Sequence, residues 1–281
     1  MATSIGLRMR GSLAVLMFAC VIASTEMAAG KTSGFLTVGD VLTLPNRTAH
    51  INARLSGDLP PKVPGWGGVP LQLYIDGKPV AKVKTDEGGQ VTFDYLPKMR
   101  GTHVITVMVA EPTSVDANKA EATLCVWERR RPILLVEMAA IMQLHEPSEP
   151  AMELSAQPVS DAAEELSRLT QYYYNVMYVP TGDEMSQGIA PLGAVHRWLE
   201  SNRFPAGCVV TPSSGDVYAT IEGFRQEGWT TMKTAIGRTR PFADALLHQR
   251  LEVVVVPELP KAELPRKAKA AKDWKEVRKK L

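Results

Sequence analysis

Residues 129–142 read RRRPILLVEMAAIM, and the fold turns on how that stretch is interpreted. Three arginines and Pro132 stop whatever precedes, and Ile133, Leu134, Leu135 and Val136 then make an unbroken apolar run. A strand buried on both faces needs such a run, so the stretch reads as the central strand of a parallel sheet. Open α/β sheets place ligands just beyond the carboxyl ends of their strands, which directs attention to Glu137 and the four residues after it. Of these five, only Glu137 carries a chemically active side chain.

Downstream, helix and strand alternate. Helices are expected from Ala162 in AAEELSRLTQYYY, where Asp161 and Glu164 form a capping-box pattern, and over Leu192–Ser201, Tyr218–Gly228 and Pro241–Arg250. Strands are expected at NVMYV (175–179), CVVT (208–211), Met232–Ile236 and EVVVV (252–256). With the opening strand these make a five-stranded, doubly wound parallel sheet.

Upstream, Phe35–Glu128 has the period of strands. Polar and apolar residues alternate in VPLQLYID, KPVAKVKTD, GQVTFDYL, THVITVMVAE and EATLCVWE. Asp76-Gly77 suits a two-residue hairpin turn and Gly88-Gly89 the next reversal. Seven short strands in about 95 residues imply a sandwich. Trp66, in the Pro- and Gly-rich loop PPKVPGWGGVP, reads as a cover for one end of it rather than as a ligand platform. The order Thr85, Asp86, Gly89, Phe93, Leu96, Pro97, Gly101 resembles bacterial immunoglobulin-like modules over about a third of the chain, which implies a spacer or adhesive role.

The whole chain, with 281 residues, 45% apolar content and 22% charge, has room for two modest domains. Its net charge of +2 carries no nucleic-acid signature. Residues 1–30 have the layout of a secretory signal: Arg8 and Arg10, an apolar run from Leu13 to Ala23, then small residues. An exported protein, periplasmic or extracellular, is expected, with an uncleaved membrane anchor as the alternative. The domains are therefore 31–128, a β-sandwich, 129–257, an α/β unit, and 258–281, a basic tail. Cys125 and Cys208 fall in different domains and read as buried free thiols, an interdomain disulfide being the other reading.

The pieces RPILLVEM, DAAEELSRLTQYYYNVMYVPTGDE, HRWLESNRFPAGCVV and AIGRTRPFADALLHQRLEVVVVP cover nearly all of residues 131–257. In apolar pattern and order they resemble the haloacid-dehalogenase superfamily, most of all its lipin-type phosphatidate phosphatase branch. The resemblance implies an Asp nucleophile, a second Asp two residues on as general acid and base, and an acidic final motif that helps hold Mg²⁺. This chain has Glu137 for the nucleophile and Ala139 for the proton donor. The hydroxyl of the second motif falls on Pro180, with Thr181 one residue away. Arg238 and Phe242 stand in the two acidic slots of the final motif, and Lys233 or Arg225 is what remains for the phosphate-gripping Lys. Losing a general acid alone removes about 10²- to 10⁴-fold of rate, so no useful phosphatase is expected.

The expectation is therefore an exported, non-catalytic binding or scaffolding protein without cofactor or metal. The competing class is a Mg²⁺-dependent phosphohydrolase. Connections of about 20 and a dozen residues leave no room for a cap domain, so the domain should be capless and its pocket shallow. Glu137, Arg238, Arg240 and Lys233 form the candidate binding face. It suits an anionic macromolecule or surface group, unless the arginines simply pair with Glu137. A new metal site of Glu137 with His145, Glu146, Glu149 and Glu153 is set against a solvated connecting loop, and an anion-binding turn at Ser213, Ser214 and Gly215 against an ordinary turn. His196 and His248 read as structural. The tail carries nine Lys or Arg against four acids, with Ala270, Trp274, Val277 and Leu281 on one helical stripe. That stripe either docks on the protein itself or brings a basic helix to a membrane surface.

Overall fold

The computed structural model describes residues 32–57, 65–111, 113–143, 156–181, 192–212 and 216–281. The signal segment, the loop bearing His145, Glu146, Glu149 and Glu153, the Ser213–Gly215 turn and most of the two connections too short for a cap lie outside these residues.

Nine strands build the sandwich: β1 (Thr32–Val38), β2 (Val41–Thr43), β3 (Ala49–Ser56), β4 (Pro70–Ile75), β5 (Lys78–Lys84), β6 (Gln90–Tyr95), β7 (Gly101–Val109), β8 (Val115–Ala117) and β9 (Ala120–Val126). They form a four-stranded sheet, β6-β3-β1-β8, and a five-stranded one, β2-β9-β7-β4-β5. The count exceeds the seven expected because β2 and β8 are three residues each, too short for alternation to show. Period-2 alternation decides which side chains go inside: Leu71, Leu73 and Ile75 are buried together with Ile51, Leu55 and Phe93. Asp76 and Gly77 take φ of 49° and 74°, the two-residue turn that their types favour. Gly89 is required twice over: φ is 74°, and a Cβ would lie 2.2 Å from the Leu55 carbonyl oxygen. Trp66 lies against Gly34 and Gly57 and packs on the sandwich core.

The second layer comprises β10 (Ile133–Glu137), α1 (Met138–Ile141), α2 (Ala162–Tyr172), β11 (Asn175–Val179), α3 (Leu192–Ser201), β12 (Cys208–Val209), α4 (Val217–Gln226), β13 (Met232–Gly237), α5 (Arg240–His248), β14 (Glu252–Val255), β15 (Lys269–Ala270) and α6 (Trp274–Lys280). All neighbours pair parallel in the order β12-β11-β10-β13-β14-β15. The sheet thus has six strands, not five. The extra one is a two-residue edge within the basic tail, where no apolar run marks a strand. The chain winds outward from β10 to β12 and then crosses back to β13 and on to β15. That reversal puts the topological switch point between the carboxyl ends of β10 and β13, at Glu137 and Gly237.

Local chemistry fixes the helix ends, in part against expectation. Asp161 does not cap α2: it sits at φ 63° with no side-chain bond to the first turn, and Glu164 turns to Arg168 instead. The arginines before β10 do more than end the sandwich. Arg129 donates to the Glu227 carbonyl just past α4 and lies 5.8 Å over the Trp229 ring, and Arg131 donates to the carbonyls of Thr170 and Tyr174 at the end of α2. Both meet the unpaired carbonyls and negative dipole ends of helices.

Sandwich and α/β layer share one core, in which Cys125 and Trp127 pack with Ile133, Leu135 and Met177. Cys125 on β9 and Cys208 on β12 are disulfide-bonded, with Cα atoms 6.2 Å apart, so the free-thiol reading is corrected. Beside the disulfide, the Asp40 carboxylate accepts from the backbone N–H of Thr123 (2.8 Å) and Val209 (2.6 Å) and from His196 Nε2 (2.9 Å). His196 thus has a structural partner, while His248 is exposed at the end of α5.

The tail docks on its own domain. Trp274 and Val277 are buried, the Trp274 indole N–H donates to the Ala140 carbonyl (3.1 Å), and Lys275 pairs with Asp161 (3.2 Å). Ala270 belongs to β15 rather than to the helical stripe. Among the described residues no helix is long and apolar enough to cross a membrane.

Candidate functional site

At the switch point a single carboxylate gathers the ends of three strands. Glu137 is fully buried. Its Oε1 accepts from the Thr181 hydroxyl just past β11 (2.6 Å) and from the Thr239 hydroxyl, and its Oε2 accepts from the backbone N–H groups of Arg238 (2.6 Å) and Thr239 (2.8 Å). Thr239 is the N-cap of α5, its hydroxyl also accepting from the Phe242 N–H (3.4 Å). The carboxylate therefore lies at the positive end of a helix dipole, a setting that favours an anion. The approach is close: a Cβ on Gly237 would stand 3.1 Å from Glu137 Oε2 and 2.4 Å from the Phe242 ring.

The other expected residues divide. Thr181 does reach Glu137, its hydroxyl donating to Oε1. Phe242 is buried, its ring packed against Gly237. Ala139 is half-buried beyond the strand and offers only a methyl group. Arg238 contributes its backbone amide, and the guanidinium of Arg240 pairs with Asp244 (3.3 Å), so neither arginine side chain neutralises Glu137. Lys233 is exposed near the start of β13, roughly 13 Å along the strand from Gly237 at about 3.3 Å per residue, and the site does not include it. Arg225 donates to the side chain and backbone carbonyl of Gln249, joining the ends of α4 and α5 away from Glu137.

Thr239 was missed, though a signal existed: a Thr followed by Arg-Pro has the form of an N-cap before a helix with proline in its first turn. The neighbouring arginines drew the attention instead, because the resembled superfamily has acids at the corresponding places.

No protein-family model matches the chain, and no curated protein matches it. Among solved structures the chain is similar to D,D-heptose 1.7-bisphosphate phosphatase from B. bronchiseptica complexed with magnesium and phosphate, at 12% identity over 53% of this chain and 97% of that one, with a TM-score of 0.43. It is also similar to the CARDB domain of a Pyrococcus furiosus protein in complex with di-metal ions, at 18% identity over 33% and 91% of the two chains and a TM-score of 0.26. The D00-D0 domain of Intimin is a further neighbour, at 15% identity over 35% and 50% and a TM-score of 0.27. The neighbours thus include immunoglobulin-like domains and a haloacid-dehalogenase phosphatase.

The residues at the switch point do not fit the Mg²⁺ that the phosphatase resemblance implies. A hard cation needs several oxygen ligands with free lone pairs. Both oxygens of Glu137 are engaged by donors that point their hydrogens at it, and the buried Phe242 ring packs against Gly237 beside it. Among the described residues no group of three or more His, Cys, Asp or Glu is placed to hold a metal.

Proposed function

We propose that this chain is an exported, non-catalytic binding or scaffolding protein: an immunoglobulin-like sandwich on a capless haloacid-dehalogenase-like domain of the lipin-phosphatase type whose active-site motifs are degenerate. One observation carries the reading, the saturation of Glu137 by four donors, two of them backbone amides. A nucleophile must present a free lone pair to phosphorus, and a buried carboxylate that leaves its donors strands them at a cost of about 1–3 kcal/mol each. The proton donor is absent as well, Ala139 having no group that titrates. Export accords with the Cys125–Cys208 disulfide, because such bonds persist in oxidising compartments. An anionic macromolecule or surface group is the partner class that the Arg238 side chain suits, with Arg240 held by Asp244 and Lys233 exposed near the start of β13. A membrane contact through the tail would be electrostatic, since Trp274 and Val277 are already buried.

The alternative, a Mg²⁺-dependent phosphohydrolase, draws on the Thr181–Glu137 contact, which resembles a second-motif hydroxyl beside a nucleophile. The test is phosphate release by the purified mature chain from p-nitrophenyl phosphate and from phosphatidate vesicles, with Mg²⁺ and with chelator. No release above blank is expected. Mg²⁺-dependent release that vanishes in Glu137→Gln would overturn the proposal.

A further inference from the structure

The five-stranded sheet of the sandwich ends in an open edge. β5 is its last strand, and among the described residues β4 is the only strand paired with it. An antiparallel ladder turns the N–H and C=O groups of alternate residues away from the neighbouring strand, so β5 presents a row of them on its far side. The two halves of the strand differ. At its start, Pro79 has no N–H to offer and the register slips between Ala81 and Pro79, and both features blunt an edge. From Ala81 to Lys84 the register is regular: Ala81 lies opposite Leu73, Lys82 opposite Gln72, Val83 opposite Leu71 and Lys84 opposite Pro70.

Directly opposed residues share a face of the sheet, which sorts the side chains of this regular stretch. Leu71 and Leu73 are fully buried, so Val83 and Ala81 lie on the side of the sandwich core. Ala81 packs on that core, yet Val83 is 39% exposed, because the sheet stops there. Lys82 and Lys84 lie on the outer side, both exposed, and among the described residues neither has an ion-pair partner. An open apolar residue on the inner side, cations on the outer side and free backbone groups between them are what one more strand would use. The lysines also select that strand. A second copy of β5 in register would set lysine against lysine, and like charges directly opposite one another are destabilising. A segment with acids at alternate positions would instead pair with Lys82 and Lys84 and turn its apolar residues toward Val83.

We infer that the Ala81–Lys84 edge of β5 docks an extended acidic segment of a partner protein, which adds a strand to this sheet. The inference goes beyond the reading of Glu137, which lies in the other layer, and does not depend on it. The test uses the full mature chain and a blocked, fluorescently labelled peptide of alternating glutamate and valine, read by anisotropy. The peptide should bind, more weakly as salt rises. The same peptide with its amides N-methylated keeps its charges but cannot complete the ladder, so it should not bind. Lys82→Glu together with Lys84→Glu should weaken binding by about tenfold or more and should admit an alternating peptide of lysine and valine in its place. Both side chains are exposed, so the melting temperature should hold. In the complex, amide hydrogen exchange should slow within residues 78–84. Absence of binding, equal binding by the N-methylated peptide, an affinity untouched by the double substitution, or protection that omits β5 would each overturn the assignment. A dimer of the free chain that protects β5 would give the edge to a second copy and overturn it as well.

Discussion

Glu137 and Asp40 are both closed off from solvent and both accept hydrogen bonds from distant parts of the chain, yet they differ in what they join. Glu137 draws four donors, amides and hydroxyls, from the ends of β11 and β13 and the start of α5, all within one layer. Asp40 lies in the turn between β1 and β2 and draws on β9, β12 and α3, so it crosses the seam between layers. One of its donors is an imidazole, and a disulfide lies beside it. Position alone makes Glu137 look chemical and Asp40 look like a loop residue. The donor sets give them one task, because in each case the lone pairs that chemistry would need are already used.

The contrast can be broken most forcefully at the seam's covalent tie. Cys125 and Cys208 are 83 residues apart, and closing a loop of that size is worth about 4–5 kcal/mol in the chain-entropy account. Replacing both with Ala should lower urea-unfolding stability by nearly that amount and leave the Glu137 end of the sheet intact. A loss below about 1 kcal/mol would mean that the shared core and Asp40 already hold the layers together.

Next in size is Glu137→Leu. Two backbone N–H groups and two hydroxyls lose their acceptor, and with partial rescue by water the expected cost is on the order of 3 kcal/mol. Sites kept for chemistry often store strain, so removing a catalytic acid commonly stabilises a fold. A melting temperature that rises in Glu137→Leu would therefore argue for function at this residue and against its structural role.

Asp40→Ala should cost less, about 2 kcal/mol, since only three donors are stranded and His196 can turn toward water. The sharper measurement is a double-mutant comparison in the Cys125→Ala, Cys208→Ala background. If Asp40 and the disulfide support the same seam, the two losses will not add, and strict additivity would show them to be independent.

Much of this was legible in the sequence, and the exceptions share a cause. The run at 133–136 shows β10 because a strand covered on both faces must be apolar throughout, and Asp76-Gly77 shows its hairpin because few residues accept those φ values. Asp40 gives no such sign: its partners lie 83, 156 and 169 residues away, and nothing local distinguishes an Asp after Gly39 from any turn residue. Thr239 was readable in principle but stood beside positions compared with the acids of the resembled superfamily, and Arg129 and Arg131 were read only as a stop before the strand. β15 was not readable, because two residues at a sheet edge carry no period. Glu137 was placed correctly on its strand; that its oxygens are filled depends on backbone amides about 100 residues away.

A third carboxylate tests whether burial, rather than the donor set, separates these cases. Asp76 is bonded much as Asp40 is, by a histidine and a backbone amide: His103 Nδ1 at 2.7 Å and the Val104 N–H at 2.9 Å. Its side chain, however, is 49% exposed. Partial burial pushes the Asp76 carboxyl up, but the hydrogen bonds from His103 and Val104 and the positive charges of His103 and Lys78 together outweigh it. The group is held below its ordinary value of 3.8. A lowered folded value means that the unfolded chain takes up the proton first as pH falls. The stabilisation is therefore complete above the ordinary value, declines as pH drops through 3.8, and is gone below the folded value. Asn tolerates the left-handed φ of 49° at this turn, so Asp76→Asn removes the charge without straining the hairpin. The variant should be less stable than wild type by under about 1 kcal/mol at neutral pH, because both partners meet water. In melting curves taken from about pH 6 down to about pH 2, that difference should shrink toward zero. A difference that holds steady or widens on acidification would show that the carboxylate charge does not supply the stability, and that the hydrogen-bond pattern acts alike in exposed and buried settings.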